Sequence, residues 1–215
     1  GTYWPPLGQV IVMALFQMGG FGLMTAAALL GLLVNRSLRL RTRLLTQAES
    51  HTIGLCEVTS VARVVLVVTV ACELVLTAIL STRLAMAYAM PWGEALWSGL
   101  FHAVSAFNNA GFSLYGDSLM RFQSDVWVLL PVMLAIFIGG IGFPVLQDIR
   151  GRWRDPHHWS LHTKLTLSGS ALLLMLGMGG MLVFEWSNTR TLGVMSLDDK
   201  LLNAAFASIS ARTAG

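Results

Sequence analysis

Phe101-His102-Ala103-Val104-Ser105-Ala106-Phe107-Asn108-Asn109-Ala110-Gly111 is the stretch on which the fold turns. The surrounding residues 95–114 carry no formal charge, yet they include Ser98, His102, Ser105, Asn108, Asn109 and Ser113 with two glycines. Such a stretch can enter a membrane but is poor material to face lipid. It is either a full span or a helix that enters, ends near Asn108 and turns back.

Outward from it, the chain reads as membrane protein. Of its 215 residues 55% are hydrophobic and only 12% charged, about half the usual share for a water-soluble domain, which argues against a cytosolic enzyme. Residues 1–35, 126–147 and 165–184 contain no Asp, Glu, Lys or Arg. Each run could cross a bilayer as a helix, and the runs are continuous instead of alternating, which excludes a barrel. Four spans are expected, at about 8–34, 61–83, 125–146 and 164–186. Cys56 and Cys72 suggest neither a disulfide framework nor a zinc site. The chain starts on a polar turn at Gly1 and stops at Gly215 without a closing element, so it reads as a piece of a longer polypeptide.

Parity decides between span and dip. Arg36, Arg39, Arg41, Arg43 and Arg63 follow the first span, and Arg150, Arg152, Arg154 and Lys164 follow the third. Only if residues 95–114 return to their starting face do both basic groups share one side, nine basic residues inside against five elsewhere, as the positive-inside rule favours. The net charge of +3 therefore speaks of topology and not of nucleic acid. Backbone that is not helical at membrane depth needs protein or water around it, so the dip implies a cavity or pore.

Two internal matches support repetition. The chain end, Phe206-Ala207-Ser208-Ile209-Ser210-Ala211-Arg212-Thr213-Ala214-Gly215, follows the pattern of the dip with one residue deleted. Gly19-Gly20-Phe21-Gly22 in the first span matches Gly139-Gly140-Ile141-Gly142 in the third. The expected class is an all-α membrane protein of helix, pore-loop, helix repeats. Residues 1–57 hold the inner helix of one repeat, 58–160 a complete repeat, and 161–215 the outer helix and pore loop of another.

The stretch Val104 to Ser113, the ending Ser210 to Gly215 and the run Gln17-Met18-Gly19-Gly20-Phe21-Gly22-Leu23-Met24-Thr25 resemble the KtrB branch of the Trk/Ktr/HKT potassium-uptake proteins. The resemblance implies four such repeats around a pseudo-fourfold pore, of which this chain carries about half. It further implies a bacterial plasma-membrane location, sodium-dependent K⁺ uptake, a homodimer of pores set in membrane lipid, and a cytosolic nucleotide-binding regulatory subunit of the KtrA/TrkA type. No covalent cofactor and no enzymatic activity are implied.

On that reading K⁺ is held by backbone carbonyls of Asn109, Ala110 and Gly111 in one loop and Thr213, Ala214 and Gly215 in the next, flanked by Asn108, Phe112 and Arg212. Gly111 and Gly215 would supply conformations closed to residues with a Cβ. The alternative for Ala-Gly is a plain helix ending. Gly19, Gly20, Gly22, Gly139, Gly140 and Gly142 are read as helix-packing residues, and Pro144 as the site of a kink. The pore helix is expected over 94–107 with Glu94 matching its N-terminal dipole.

Glu73 stands alone in the second span, either functional or packed between helices, with no partner legible. His102 reads as a hydrogen-bonded structural residue. His157, His158 and His162 could space a metal on a helix, but Asp155-Pro156 and Trp159 point to an interfacial turn. Trp92, Trp97, Trp127, Trp153, Trp159 and Trp186 read as interfacial anchors. Two other functions compete: a carrier with broken helices around a midplane site, and a membrane-embedded hydrolase using His102 and Ser105.

Overall fold

The structure, a computed structural model, describes residues 5–43 and 55–213, with side chains described within 5–30 and 61–213. Its elements are α1 (Pro6–Arg43), α2 (Leu55–Ala87), α3 (Trp92–Phe107), α4 (Val126–Ile141), α5 (Phe143–Gly151), α6 (Leu161–Glu185) and α7 (Leu197–Thr213). Among the described residues there is no strand. Three stretches, Pro6–Leu30, Val61–Ala87 and Leu161–Glu185, are long and apolar enough to cross a membrane. The α4–α5 pair makes a fourth if counted as one broken span.

The first helix runs on to Arg43, through a stretch expected to be loop, because Leu and Arg are good helix formers. The third expected span departs further. It ends at Ile141, and α5 leaves at 95° to it. The break sits at Gly142, whose φ of +83° and ψ of 157° lie in a region that only glycine enters readily. Pro144 is therefore no kink inside a helix. It occupies the first turn of α5, where its missing N–H costs nothing.

Helix α3 has 16 residues, about 24 Å of rise, too short to cross a hydrocarbon core of about 30 Å. Its surroundings show what it does instead. Arg83 near the end of α2 donates to Asp125 Oδ2 at 2.9 Å, and Tyr88 donates to the same oxygen at 3.0 Å. Asp125 in turn caps α4, accepting from the Trp127 N–H at 3.0 Å. The end of α2 and the start of α4 thus meet, and everything between leaves and returns to one end of the molecule. The excursion closes on an apolar core of Leu76, Leu80, Leu84, Phe122, Val128 and Val132 around Ala95, Ala103 and Ala106 of α3.

The pairing of α2 with α3 recurs as the pairing of α6 with α7, the two most extensive helix contacts among the described residues. Both are made close by small residues. A Cβ on Gly99 would run into Ser81, and one on Gly177 into Ser208, which itself donates to the Leu174 carbonyl at 3.0 Å. The helix ahead of each pair touches both of its members, α1 with α2 and α3, and α4 with α6 and α7.

Candidate functional site

The site is the chain from Asn108 to Ser113, and the ending of α3 creates it. Asn108 N–H donates to Val104 O, Asn109 N–H to Ala106 O and Ala110 N–H to Ser105 O, the last at 2.8 Å. With Asn109 at φ +54°, this is a Schellman ending with asparagine in the left-handed position. Gly111 follows at φ +72°. The helix ending and the glycine conformation are thus both present, one residue apart, and the two sequence alternatives do not exclude each other. Among the described residues, no hydrogen bond engages the carbonyls of Asn109, Ala110 or Gly111.

The loop is then stitched back to α3. Ser105 Oγ donates to Phe112 O at 2.7 Å and accepts from Phe112 N at 2.9 Å. His102 spans the helix and the returning chain, with Nδ1 at 2.7 Å from Ser98 O and Nε2 at 2.9 Å from Ser113 Oγ, and its ring stacks on Tyr115. His102 is structural, as expected, and Ser105 is engaged with the loop backbone. They form no nucleophile and base pair, which removes the geometric basis of the hydrolase alternative. Beyond the loop, the Arg121 guanidinium beside Asp117 holds that carboxyl below its ordinary range.

Two consecutive asparagines anchor the start of the loop in different directions. Asn108 reaches α1 and α2: its Nδ2 lies 3.1 Å from Gln17 Oε1, 2.9 Å from Glu73 Oε1 and 2.9 Å from Val104 O. Gln17 donates to the other Glu73 oxygen at 3.1 Å. Asn109 reaches α4 and α7. With the Asn109 amide turned so that donors meet acceptors, its nitrogen donates to Ile136 O and to Thr213 Oγ1, each at 3.0 Å, and its oxygen accepts from Gly140 N at 3.1 Å. Ile136 O and Gly140 N are the two groups an α-helix joins i to i−4, so the side chain grips the α4 ladder just before its break.

The matched glycines divide by job. A Cβ on Gly20 would collide with the Asn108 side chain, and one on Gly139 with the Phe107 carbonyl, so both let an inner helix approach the pore-helix end. Gly140 stands in ordinary contact with Thr213, 3.5 Å from where its Cβ would be. Gly142 is a correction: it bends the backbone and is not a packing residue. Gly19 and Gly22 have nothing within 4 Å among the described residues, so the packing expected of them is not met there.

Of the second expected filter strand, Arg212 and Thr213 end α7, while Ala214 and Gly215 lie outside the described residues. Arg212 stacks over Phe137, its guanidinium 5.9 Å from the ring centre, and Phe112 packs on Phe16. Glu94 stands in the first turn of α3, although the cap residue is Pro91 and no side chain caps that end. Trp92, Trp127, Trp153 and Trp186 are exposed as anchors should be. Trp97 is instead tied to α1 through Gln9 at 2.7 Å, and Trp159 to the Arg152 carbonyl at 3.0 Å. His157 and His158 lie in a short 3-10 turn before α6, with His158 bonded to Asp155. No group of three metal-ligating side chains forms among the described residues.

A family model described as a cation transport protein, TrkH, matches residues 2–215. The chain belongs to the TrkH family of cation transport proteins. It is a multi-pass plasma-membrane protein. It is 39% identical over its whole length to Ktr system potassium uptake protein B of Bacillus subtilis (strain 168), of which it covers 48%. It is 33% identical, again over its whole length, to the protein of the same name from Vibrio alginolyticus, covering 47% of it. It is 32% identical over 99% of its length to the potassium/sodium uptake protein NtpJ of Enterococcus hirae, covering 46%. The chain thus spans about half the length of these curated relatives.

Gln17 and Glu73 are the site residues that sequence reasoning left without a role. A signal for Gln17 existed. It is one of two glutamines in a charge-free apolar run, three residues before Gly20 and so on the same helix face.

Proposed function

We propose that this chain supplies two of the pore loops of a potassium-uptake pore, with residues 1–57, 58–160 and 161–215 as successive parts of its repeats. One observation carries the reading. The helix α3 ends at the buried Phe107 and passes into a partly exposed loop held left-handed at Asn109 and Gly111, whose carbonyls from Asn109 to Gly111 are unengaged among the described residues.

Carbonyls free of partners are what a dehydrated cation needs, and the carboxyl end of a helix adds partial negative charge beside them. The ring is completed by the equivalent loop at Thr213, Ala214 and Gly215 and by loops of the other repeats. Asn108, Phe112 and Arg212 flank it. K⁺ is the transported ion, with uptake dependent on Na⁺. The pore works as a homodimer with a cytosolic nucleotide-binding regulatory subunit, in keeping with relatives that are named as parts of a Ktr system. The carrier alternative needs inverted repeats, whereas the basic residues that follow both the first and the third spans argue for repeats that enter from one side.

Uptake of Rb⁺ by potassium-uptake-deficient cells expressing the intact protein tests the proposal. Expression should restore growth at low K⁺ together with saturable Rb⁺ entry. Growth and uptake no better than in cells with an empty vector would overturn it.

A further inference from the structure

Glu73 contributes no carbonyl to the loop, yet it is buried, 6% exposed in the middle of a membrane-length helix. We propose that Glu73 is a positioning residue for ion selection, holding through Asn108 the turn from which the pore loop starts. The inference rests on the uptake pore proposed above.

Three observations carry it. First, both carboxylate oxygens are in use, Oε1 by Asn108 Nδ2 at 2.9 Å and Oε2 by Gln17 Nε2 at 3.1 Å. Second, Gln17 Oε1 lies 3.1 Å from Asn108 Nδ2, so side chains from α1, α2 and the end of α3 close a ring. Gly20 lets α1 come against the Asn108 amide, where any Cβ would collide. Third, Asn108 is the residue that leads into the left-handed turn at Asn109. A rotation of Asn108 would carry with it the peptide just ahead of the loop carbonyls.

The polarity of the ring explains the carboxylate. Each group meeting the Glu73 oxygens is an amide donor, so only an acid offers an acceptor to both. Glutamine has the same volume but turns an NH₂ group onto one of those donors. Glu73→Gln therefore changes hydrogen-bond polarity with shape conserved. Adding Gln17→Glu restores the match in mirror image, with the amide on α2, the carboxylate on α1, and Asn108 Nδ2 still facing acceptors on both and at Val104 O. A residue that only supported folding would alter abundance and total uptake but leave the ion preference of the surviving pores unchanged.

The experiment is Rb⁺ uptake by the intact protein with and without competing Na⁺, normalised to membrane abundance. Glu73→Gln should lower the preference for Rb⁺ over Na⁺ about fivefold, the scale of one mispaired hydrogen bond. The double variant Glu73→Gln/Gln17→Glu should return to within about twofold of wild type. If Glu73→Gln fails to accumulate, Gln17→Leu opens the same ring from α1 and should shift the preference in the same direction. An unchanged preference in these single variants, or a double variant no better than the worse single, overturns the inference while wild-type uptake leaves the pore reading standing. A wild-type protein that moves no Rb⁺ overturns both.

Discussion

The amide of Asn109 donates to Thr213 Oγ1 at 3.0 Å, joining the two segments that the repeat pattern pairs, more than a hundred residues apart in the chain. The same amide holds Ile136 O and Gly140 N of α4. One side chain therefore fixes one loop, the end of the next pore helix and the inner helix between them. This relation makes the Asn109 loop and the end of α7 dependent on each other in a measurable way.

Asn109→Ala and Thr213→Val each remove one end of that bond. Their effects on Rb⁺ preference over Na⁺ should be non-additive by about 1 kcal/mol in a double-mutant cycle, the scale of one hydrogen bond. Additive effects would show that the loop and the helix end are set independently.

The turn at Gly142 makes a second prediction. At φ +83° and ψ 157°, any side chain is strained, so Gly142→Ala should cost of order 1–3 kcal/mol. Thermal unfolding of the purified protein in detergent checks this. A variant as stable as wild type would show that α4 and α5 are not held at this angle.

Asp125 makes a third. It binds Arg83 and Tyr88 and caps α4, so it closes the excursion made by the pore helix. Asp125→Ala should destabilise the protein by about 2 kcal/mol, combining a lost cap with a lost charged hydrogen bond. Arg83→Leu should cost less, because the Arg83 side chain is 40% exposed. The reverse order would place the weight of the contact on the ion pair alone.

How much of this was legible beforehand follows from the range of the interactions. The end of the pore helix at Phe107 and the structural role of His102 are set by neighbours within about a dozen residues, and the sequence pattern carries them. Parity made residues 95–114 a return excursion, because charge distribution is a property of the whole chain, and the Arg83–Asp125 contact brings the two ends of that excursion together. The partners of Glu73 were not legible: Gln17 lies 56 residues away and Asn108 35, and nothing local joins them. The grip of Asn109 on α4 was hidden for the same reason. Pro144 misled because proline forbids an interior helical position but favours a first turn, and the break two residues earlier turned the one into the other.

Topology gives a fourth prediction. The contact of Arg83 with Asp125 puts both ends of the excursion together, and the basic residues put that end outside. Single cysteines at positions 92 and 117 should react with an impermeant maleimide added to intact cells, and a cysteine at position 152 should not. Labelling of 92 and 117 from opposite faces would make residues 95–114 a true span.

The central claim is that the loop from Asn109 to Gly111 selects the ion, and Gly111→Ser tests it most directly. A Cβ opposes the left-handed backbone at φ +72° that aims the carbonyls, so selection should suffer more than assembly. Gly140→Ser is unsuitable as a packing control, because Gly140 N is bonded to Asn109. Gly99→Ser serves instead, at the α2–α3 contact with Ser81, where the expected loss is abundance. The measurement is Rb⁺ uptake with and without competing Na⁺, normalised to protein in the membrane. The account predicts a preference for Rb⁺ reduced about tenfold or more in Gly111→Ser and unchanged in the surviving Gly99→Ser protein. An intact preference in Gly111→Ser, with a changed one in Gly99→Ser, would contradict it and place ion selection elsewhere in the chain.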